Sequence, residues 1–164
     1  MKPNTPLSHR LLILAGSIGP LGYLPASGTV TVAVVGIPIF WLTERWSALP
    51  YLTVVGLFTL ASVALHQAGD HILGEKDSRR LVWDELVGFM VAVTLVPFTW
   101  QTAVGAFLLE RLIDIVKVPP ANIIERAWPG GWGVVGDDVV AGLYTWAILQ
   151  GLCHFAGSIM GLPA

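Results

Sequence analysis

The sequence predicts an all-α fold, a multi-helix membrane bundle of about five hydrophobic helices preceded by a short N-terminal helix and loop. Three observations predict it. Hydrophobic residues make up 54% of the 164 residues and charged residues only 12%, with a mean hydropathy of +0.70, a composition of the membrane class. Apolar runs are separated by short polar or Pro- and Gly-containing breaks. Seven Trp and three Tyr suit an interfacial aromatic belt, and Trp41, Trp46, Tyr51, Trp83 and Trp100 all fall near predicted helix ends. The length predicts a single domain over residues 1–164.

Along the chain, residues 1–10 are polar, contain two prolines and are expected to be loose, with nothing that reads as a cleavable signal. Residues 11–15 start a short helix that the stretch Gly16-Ser17-Ile18-Gly19-Pro20-Leu21-Gly22 breaks into a loop. Residues 29–46 give the first convincing span, with Pro38 as its kink. A turn around Ser47 and Pro50 leads to the second span, 49–67. Residues 66–80 form a polar loop, so His66 and His71 are expected at its edges. The third, fourth and fifth helices are expected over 81–96, 103–116 and 138 to about 160. The fourth is shorter than the roughly 20 residues that a span needs. Residues 118–136, rich in Pro and Gly, read as a shaped loop.

Charge distribution sets an expected orientation. With a cytoplasmic N-terminus, Lys2, Arg10, Lys76, Arg79, Arg80, Lys117 and Arg126 fall on the inner side and only Arg45 in an outer turn, in keeping with the positive-inside rule. Three acidic pairs then lie at the cytoplasmic helix ends. A formal charge of −2 without a basic stripe excludes a nucleic-acid partner. The single Cys153 excludes a disulfide framework and a cysteine-cluster metal site.

Those pairs are Asp84 and Glu85, Glu110 and Asp114, Asp137 and Asp138. A carboxylate in an apolar setting costs several kcal/mol unless a cation, cavity or partner offsets it, so each is a functional candidate. Each also has an ordinary structural role to weigh. Acids in a first helical turn, as at Asp84-Glu85, are favoured by the macrodipole. Asp before a helix, as at Asp137-Asp138, is a common N-cap. Arg111, Asp114 and Lys117, three residues apart, could form a self-neutralising ladder. In an apolar helix, neutral residues would avoid that burial cost, which favours function.

Carboxylates without Cys or clustered His suit Mg²⁺ rather than zinc. Arg111 and Lys117 would suit a phosphate, as would the amides of the glycine run that includes Gly130 and Gly131. A divalent ion bridging protein acids and a phosphoryl oxygen is an arrangement for phosphoryl chemistry. No nucleoside-triphosphate loop is present.

Several ordered blocks then resemble the bacterial phosphatidylglycerophosphatase A family over residues 16–149. They are Gly74-Glu75-Lys76-Asp77-Ser78-Arg79-Arg80-Leu81-Val82-Trp83-Asp84-Glu85-Leu86-Val87-Gly88, Arg111-Leu112-Ile113-Asp114-Ile115-Val116-Lys117 with Pro120, and residues Gly130 to Gly142. Ser27-Gly28-Thr29 resembles the family's Pro-Gly-Thr turn; Thr31 and Val118 depart from its pattern.

The resemblance implies a helical fold and Mg²⁺-dependent hydrolysis of the phosphomonoester of phosphatidylglycerophosphate, giving phosphatidylglycerol at the inner membrane with the site facing the cytoplasm. It implies Asp84, Glu85, Asp114, Asp137 and Asp138 as metal ligands. Asp84, Glu85, Asp114, Arg111 and Lys117 are the expected catalytic residues, and Thr29, Arg111, Lys117, Gly130 and Gly131 the expected substrate contacts. The alternative is an ion or proton-coupled transporter, which would spread its charges through membrane depth; here they gather near one face.

Overall fold

The computed structural model describes residues 6–162; of the segment 1–10 expected to be loose, residues 1–5, with Lys2, lie outside the described residues, and residues 7–10 are already helical. Among the described residues seven helices appear. They are α1 (Leu7–Gly16), α2 (Ser27–Thr43), α3 (Ala48–Leu73), α4 (Trp83–Ala92), α5 (Trp100–Val116), α6 (Ala121–Ala127) and α7 (Gly131–Phe155). A 3-10 turn, Leu21–Tyr23, lies between α1 and α2.

The all-α class holds, but the expected set of about five spans does not. Among the described residues only α3 is long and apolar enough to cross a membrane. The apolar run 81–96 yields a helix of 10 residues, about 15 Å of rise against a hydrocarbon core of about 30 Å. It stops because Leu95 takes a left-handed φ of 54° and Val96 precedes Pro97, which disfavours helical geometry. In α2 the ladder widens into a π turn at Val32–Gly36, immediately before Pro38, which offers no amide to the helix. α5 has 17 residues and carries Glu110, Arg111 and Asp114. α7 has 25 residues, but Asp137, Asp138 and its glycines dilute its apolar character.

Three boundaries matter for function. α3 runs on to Leu73 before Gly74 caps it in a left-handed conformation. His66 therefore lies inside the helix with no exposed surface, not at a loop edge. α7 begins at Gly131, so Asp137 and Asp138 sit within the helix and neither is its N-cap. α5 is fixed at its start by a capping box between Thr99 and Thr102.

The short α4 is the centre of the bundle, packed mainly on α7 and also on α3 and α5. Leu86, Val87, Phe89, Met90 and Ala92 are all buried. α7 passes so close that a Cβ on Gly142 would collide with the carbonyl oxygen of Gly88, a backbone approach that small residues permit. Val32, Phe40, Phe89, Val93, Ala106 and Leu149 belong to the main core cluster. Burying α4 on all sides carries its first turn, with Asp84 and Glu85, into the interior. The periphery is the opposite: Trp41, Leu42, Leu49, Leu57, Ile115 and Phe155 are all exposed. Thr31, Ser62, Thr102, Glu110 and Thr145 have no exposed surface. An apolar outside around a polar interior is the distribution of a surface that meets something other than water alone.

Candidate active site

Six carboxylates, those of Asp77, Asp84, Glu85, Asp114, Asp137 and Asp138, line one cavity of about 250 Å³ together with Lys117. Four elements supply them. Asp84 and Glu85 come from the first turn of α4, Asp114 from the last turn of α5, and Asp137 and Asp138 from α7. Asp77 comes from the loop after α3, where its φ of 56° is left-handed. Asp70 of α3 fixes that loop by accepting from the amides of Asp77 at 3.0 Å and Ser78 at 3.3 Å.

Two cations organise the acids. The Arg111 guanidinium donates two hydrogen bonds of 2.7 Å to the fully buried Glu110. Its remaining face lies 3.4 Å from Asp114 and 3.6 Å from Asp138. The expected Arg111–Asp114 neighbour relation is present, but the ladder stops there. Lys117 ends α5 with a left-handed φ of 52°, and its ammonium reaches Glu125 at 2.8 Å and Asp137 at 2.9 Å. The Asp138 amide donates to the other oxygen of Asp137 at 3.1 Å. On the far side of Asp84, His66 Nε2 stands 3.3 Å from Oδ1.

Burial and mutual repulsion hold Asp84, Glu85, Asp137 and Asp138 toward their neutral forms. Burial pushes Asp84 up to about 7 and Asp137 up to about 6 despite its hydrogen bond from Lys117. Glu85 and Asp138 are raised well above the usual carboxylate range, by burial first and by neighbouring carboxylates second. For Lys117, burial opposes the charged form, but hydrogen bonds from it to Glu125 and Asp137 outweigh burial and raise it.

A second chamber of about 490 Å³ adjoins the first and shares Asp77 and Glu85 with it. Its walls include Ser27, Gly28, Thr29, Arg79, Arg80 and Arg111. A Cβ on Gly28 would collide with the Glu85 carboxylate, so glycine there lets the α2 start and the α4 start close on each other.

Of the residues expected from the sequence, Asp84, Glu85, Asp114, Lys117, Asp137 and Asp138 meet in the acidic cavity, while Thr29 and Arg111 line the adjoining chamber. Gly130 and Gly131 do not join them. The Gly131 amide donates to Gln67 at 3.1 Å, and Gly130 borders a separate shallow pocket with Gln67, Asp70 and His71. Sequence reasoning assigned no site role to Asp77, Asp70, Arg79 or Arg80. Asp77, Arg79 and Arg80 stand inside the 74–88 block, which was the available signal; Asp70 carries none.

A hard divalent cation fits the donor chemistry of the cavity. Asp84 Oδ1, Glu85 Oε2 and Asp138 Oδ1 are buried without a hydrogen-bond partner, a cost that a cation would remove. Among the described residues no three His, Cys, Asp or Glu side chains already stand as a ligand set.

Comparison with known proteins adds the following. The family model Phosphatidylglycerophosphatase A matches residues 14–153. A Phosphatidylglycerophosphatase A of Escherichia coli is 28% identical over 93% of this chain and 89% of its own. A Haemophilus influenzae protein of the same name is 30% identical over 71% of this chain and 66% of its own. A Bacteroides thetaiotaomicron protein named "Putative phosphatidylinositol-3-phosphatase" is 32% identical over 85% of this chain and 91% of its own. No solved structure matches the chain.

Proposed function

The chain belongs to the phosphatidylglycerophosphatase A family, and from that premise we propose that it is a Mg²⁺-dependent lipid phosphatase that hydrolyses phosphatidylglycerophosphate to phosphatidylglycerol and phosphate. The observation that carries this reading is one cavity that sets Lys117 among six carboxylates, where buried oxygens of Asp84, Glu85 and Asp138 lack a hydrogen-bond partner and Arg111 closes on Asp114 and Asp138 from the adjoining chamber. Acids alone would repel a phosphate and cations alone would need no buried acids. Together they suit a phosphoryl group bound through a divalent ion.

Asp114, Asp137 and Asp138 would hold Mg²⁺, with Asp84 or Glu85 completing the set. Bound there, the ion would neutralise phosphoryl charge and polarise the phosphorus–oxygen bonds. Arg111 and Lys117 neutralise the equatorial oxygens as charge builds in the transition state. Water attacks phosphorus in line while the Asp84–Glu85 pair accepts its proton. Whichever of the two is not bound to the ion is free to exchange that proton. The bond from phosphorus to the glycerol oxygen breaks, and that oxygen takes up the proton that the Asp84–Glu85 pair accepted from water.

Membrane association follows from the surface. α3 is a candidate span, and the exposed apolar periphery would let acyl chains stay in the bilayer while the headgroup enters the polar end of the bundle. We place the protein at the bacterial inner membrane with the site toward the cytoplasm, on the charge asymmetry of Lys76, Arg79, Arg80, Lys117 and Arg126 against Arg45.

The Bacteroides relative's name favours a second reading, a phosphoinositide as substrate, with the same bond broken. Phosphate release from phosphatidylglycerophosphate, phosphatidylinositol 3-phosphate and phosphatidic acid in mixed micelles, with Mg²⁺ or a chelator, tests both. Preferred release from phosphatidylglycerophosphate, only with Mg²⁺, is expected. A preference for the phosphoinositide would select the second reading, and no release from any lipid would refute both.

A further inference from the structure

The two adjoining chambers have opposite charge. The acidic one sets six carboxylates against Lys117, whereas the other sets Arg79, Arg80 and Arg111 against Asp77 and Glu85. Arg111 is committed to Glu110, Asp114 and Asp138. Among the described residues neither Arg79 nor Arg80 makes an ion pair with a carboxylate, and Arg80 lies with its guanidinium 5.9 Å from the centre of the Tyr23 ring. Their backbone is nonetheless held in place: Ser27 donates to the Arg79 carbonyl at 2.6 Å, and the Val82 amide donates to the Gly16 carbonyl at 3.0 Å. Two exposed guanidinium groups without a carboxylate partner, on an anchored loop, form a recognition surface for an anion rather than an internal ion-pair network.

The reaction at the acidic cavity uses one phosphate. An anion bound by Arg79 and Arg80 at the same time would be a second, non-reacting group of the same molecule. We propose that Arg79 and Arg80 form a subsite for the phosphodiester that joins headgroup to diacylglycerol, and so select lipids that carry both a phosphodiester and a terminal phosphomonoester. The headgroup passes the shared wall of Asp77 and Glu85, with the phosphomonoester in the acidic cavity beside Lys117 and the diester on the Arg79–Arg80 side. Phosphatidic acid, whose only phosphate is the reacting monoester, leaves the subsite empty. Binding energy at a non-reacting group then contributes to discrimination between substrates. This inference rests on the lipid-phosphatase reading for its second phosphate, but its test does not depend on turnover.

Short-chain phosphatidylglycerol, which carries the diester and no monoester, is titrated into the full-length protein in detergent by calorimetry. The expected result is saturable binding that weakens at least tenfold in Arg79→Gln/Arg80→Gln. Arg79→Lys/Arg80→Lys should recover most of it, and Arg126→Gln, which removes an exposed charge outside both chambers, should bind as the wild type does. In parallel, the ratio of kcat/KM for phosphatidylglycerophosphate over phosphatidic acid should fall at least tenfold in the double glutamine variant, through KM. No binding to the wild type, equal binding by the glutamine variant, or an equal loss in Arg126→Gln would overturn the subsite. Arginine-dependent binding without hydrolysis of either lipid would leave the subsite standing and remove the phosphatase reading.

Discussion

The Lys117 ammonium lies 2.9 Å from Oδ2 of Asp137, twenty residues further along the chain, because α5 ends one residue before it and the left-handed turn swings its side chain toward α7. The same ammonium contacts Glu125 of α6 at 2.8 Å, so one cation ties three elements at the cavity wall. If Lys117 neutralises the transferred phosphoryl group, Lys117→Ala should lower kcat by about 10²–10³. Steady-state phosphate release checks this, and a loss of less than about threefold would remove Lys117 from the reaction.

Glu110 belongs to the scaffold of the site. Its carboxylate is wholly buried and holds Arg111 through two hydrogen bonds. Glu110→Ala removes both of these hydrogen bonds, leaves Arg111 only its longer contacts to Asp114 and Asp138, and should destabilise the fold by about 2–3 kcal/mol, read by chemical unfolding in detergent. Glu110→Gln, which keeps the shape and one acceptor, should cost less. A change of under about 1 kcal/mol in the alanine variant would show that the clamp contributes little to stability.

Asp70 acts at one remove. It holds the amides of Asp77 and Ser78 and lines neither chamber. Asp70→Ala should lower kcat/KM by about 10², as expected from misplacement of a positioned group, while Asp70→Asn keeps an acceptor and should lose less. Equal losses in both variants would mean that the charge of Asp70, not its grip on the loop, is what matters.

Without metal, the carboxylate cluster should make stability fall as pH rises. Asp84 moves from 3.8 up to about 7 and Asp137 from 3.8 up to about 6. Between those limits the folded chain retains protons that the unfolded chain has released. The folded state is therefore favoured at low pH and loses that advantage as pH rises through about 4 to 7. The Tm of chelator-treated protein should drop by several degrees between about pH 5 and 8, and Mg²⁺ at about pH 8 should restore it. A Tm that rises over that range in the chelated protein would contradict the clustering.

Much of the site was legible because buried acids in an apolar chain stand out one by one. Asp84, Glu85, Asp114, Asp137 and Asp138 all reach one cavity, and Thr29 and Arg111 reach its neighbour. The helices were legible as a class but not as spans. Hydropathy extends the third helix to residue 96, and the positive φ of Leu95 before Val96-Pro97 cuts it at Ala92. Polarity placed His66 at a loop edge, whereas α3 continues past it and buries it against Asp84. Gly130 and Gly131 carry a phosphate-loop pattern, yet Gln67, distant in sequence, takes up the Gly131 amide. Asp70 has no local signature, since its role exists only once α3 and the 74–80 loop are brought together.

The most direct test of the account is phosphate release from phosphatidylglycerophosphate, with Mg²⁺ or chelator, by the wild type, Asp114→Asn and Asp138→Asn. The account predicts Mg²⁺-dependent release by the wild type, with at least a hundredfold loss in both variants. It also predicts that metal-free Asp138→Asn unfolds no lower than the wild type, because the amide replaces a carboxyl that burial and neighbouring acids already hold toward its neutral form. Metal-dependent turnover near the wild-type rate in both folded variants would contradict the assignment of this cavity as the active centre.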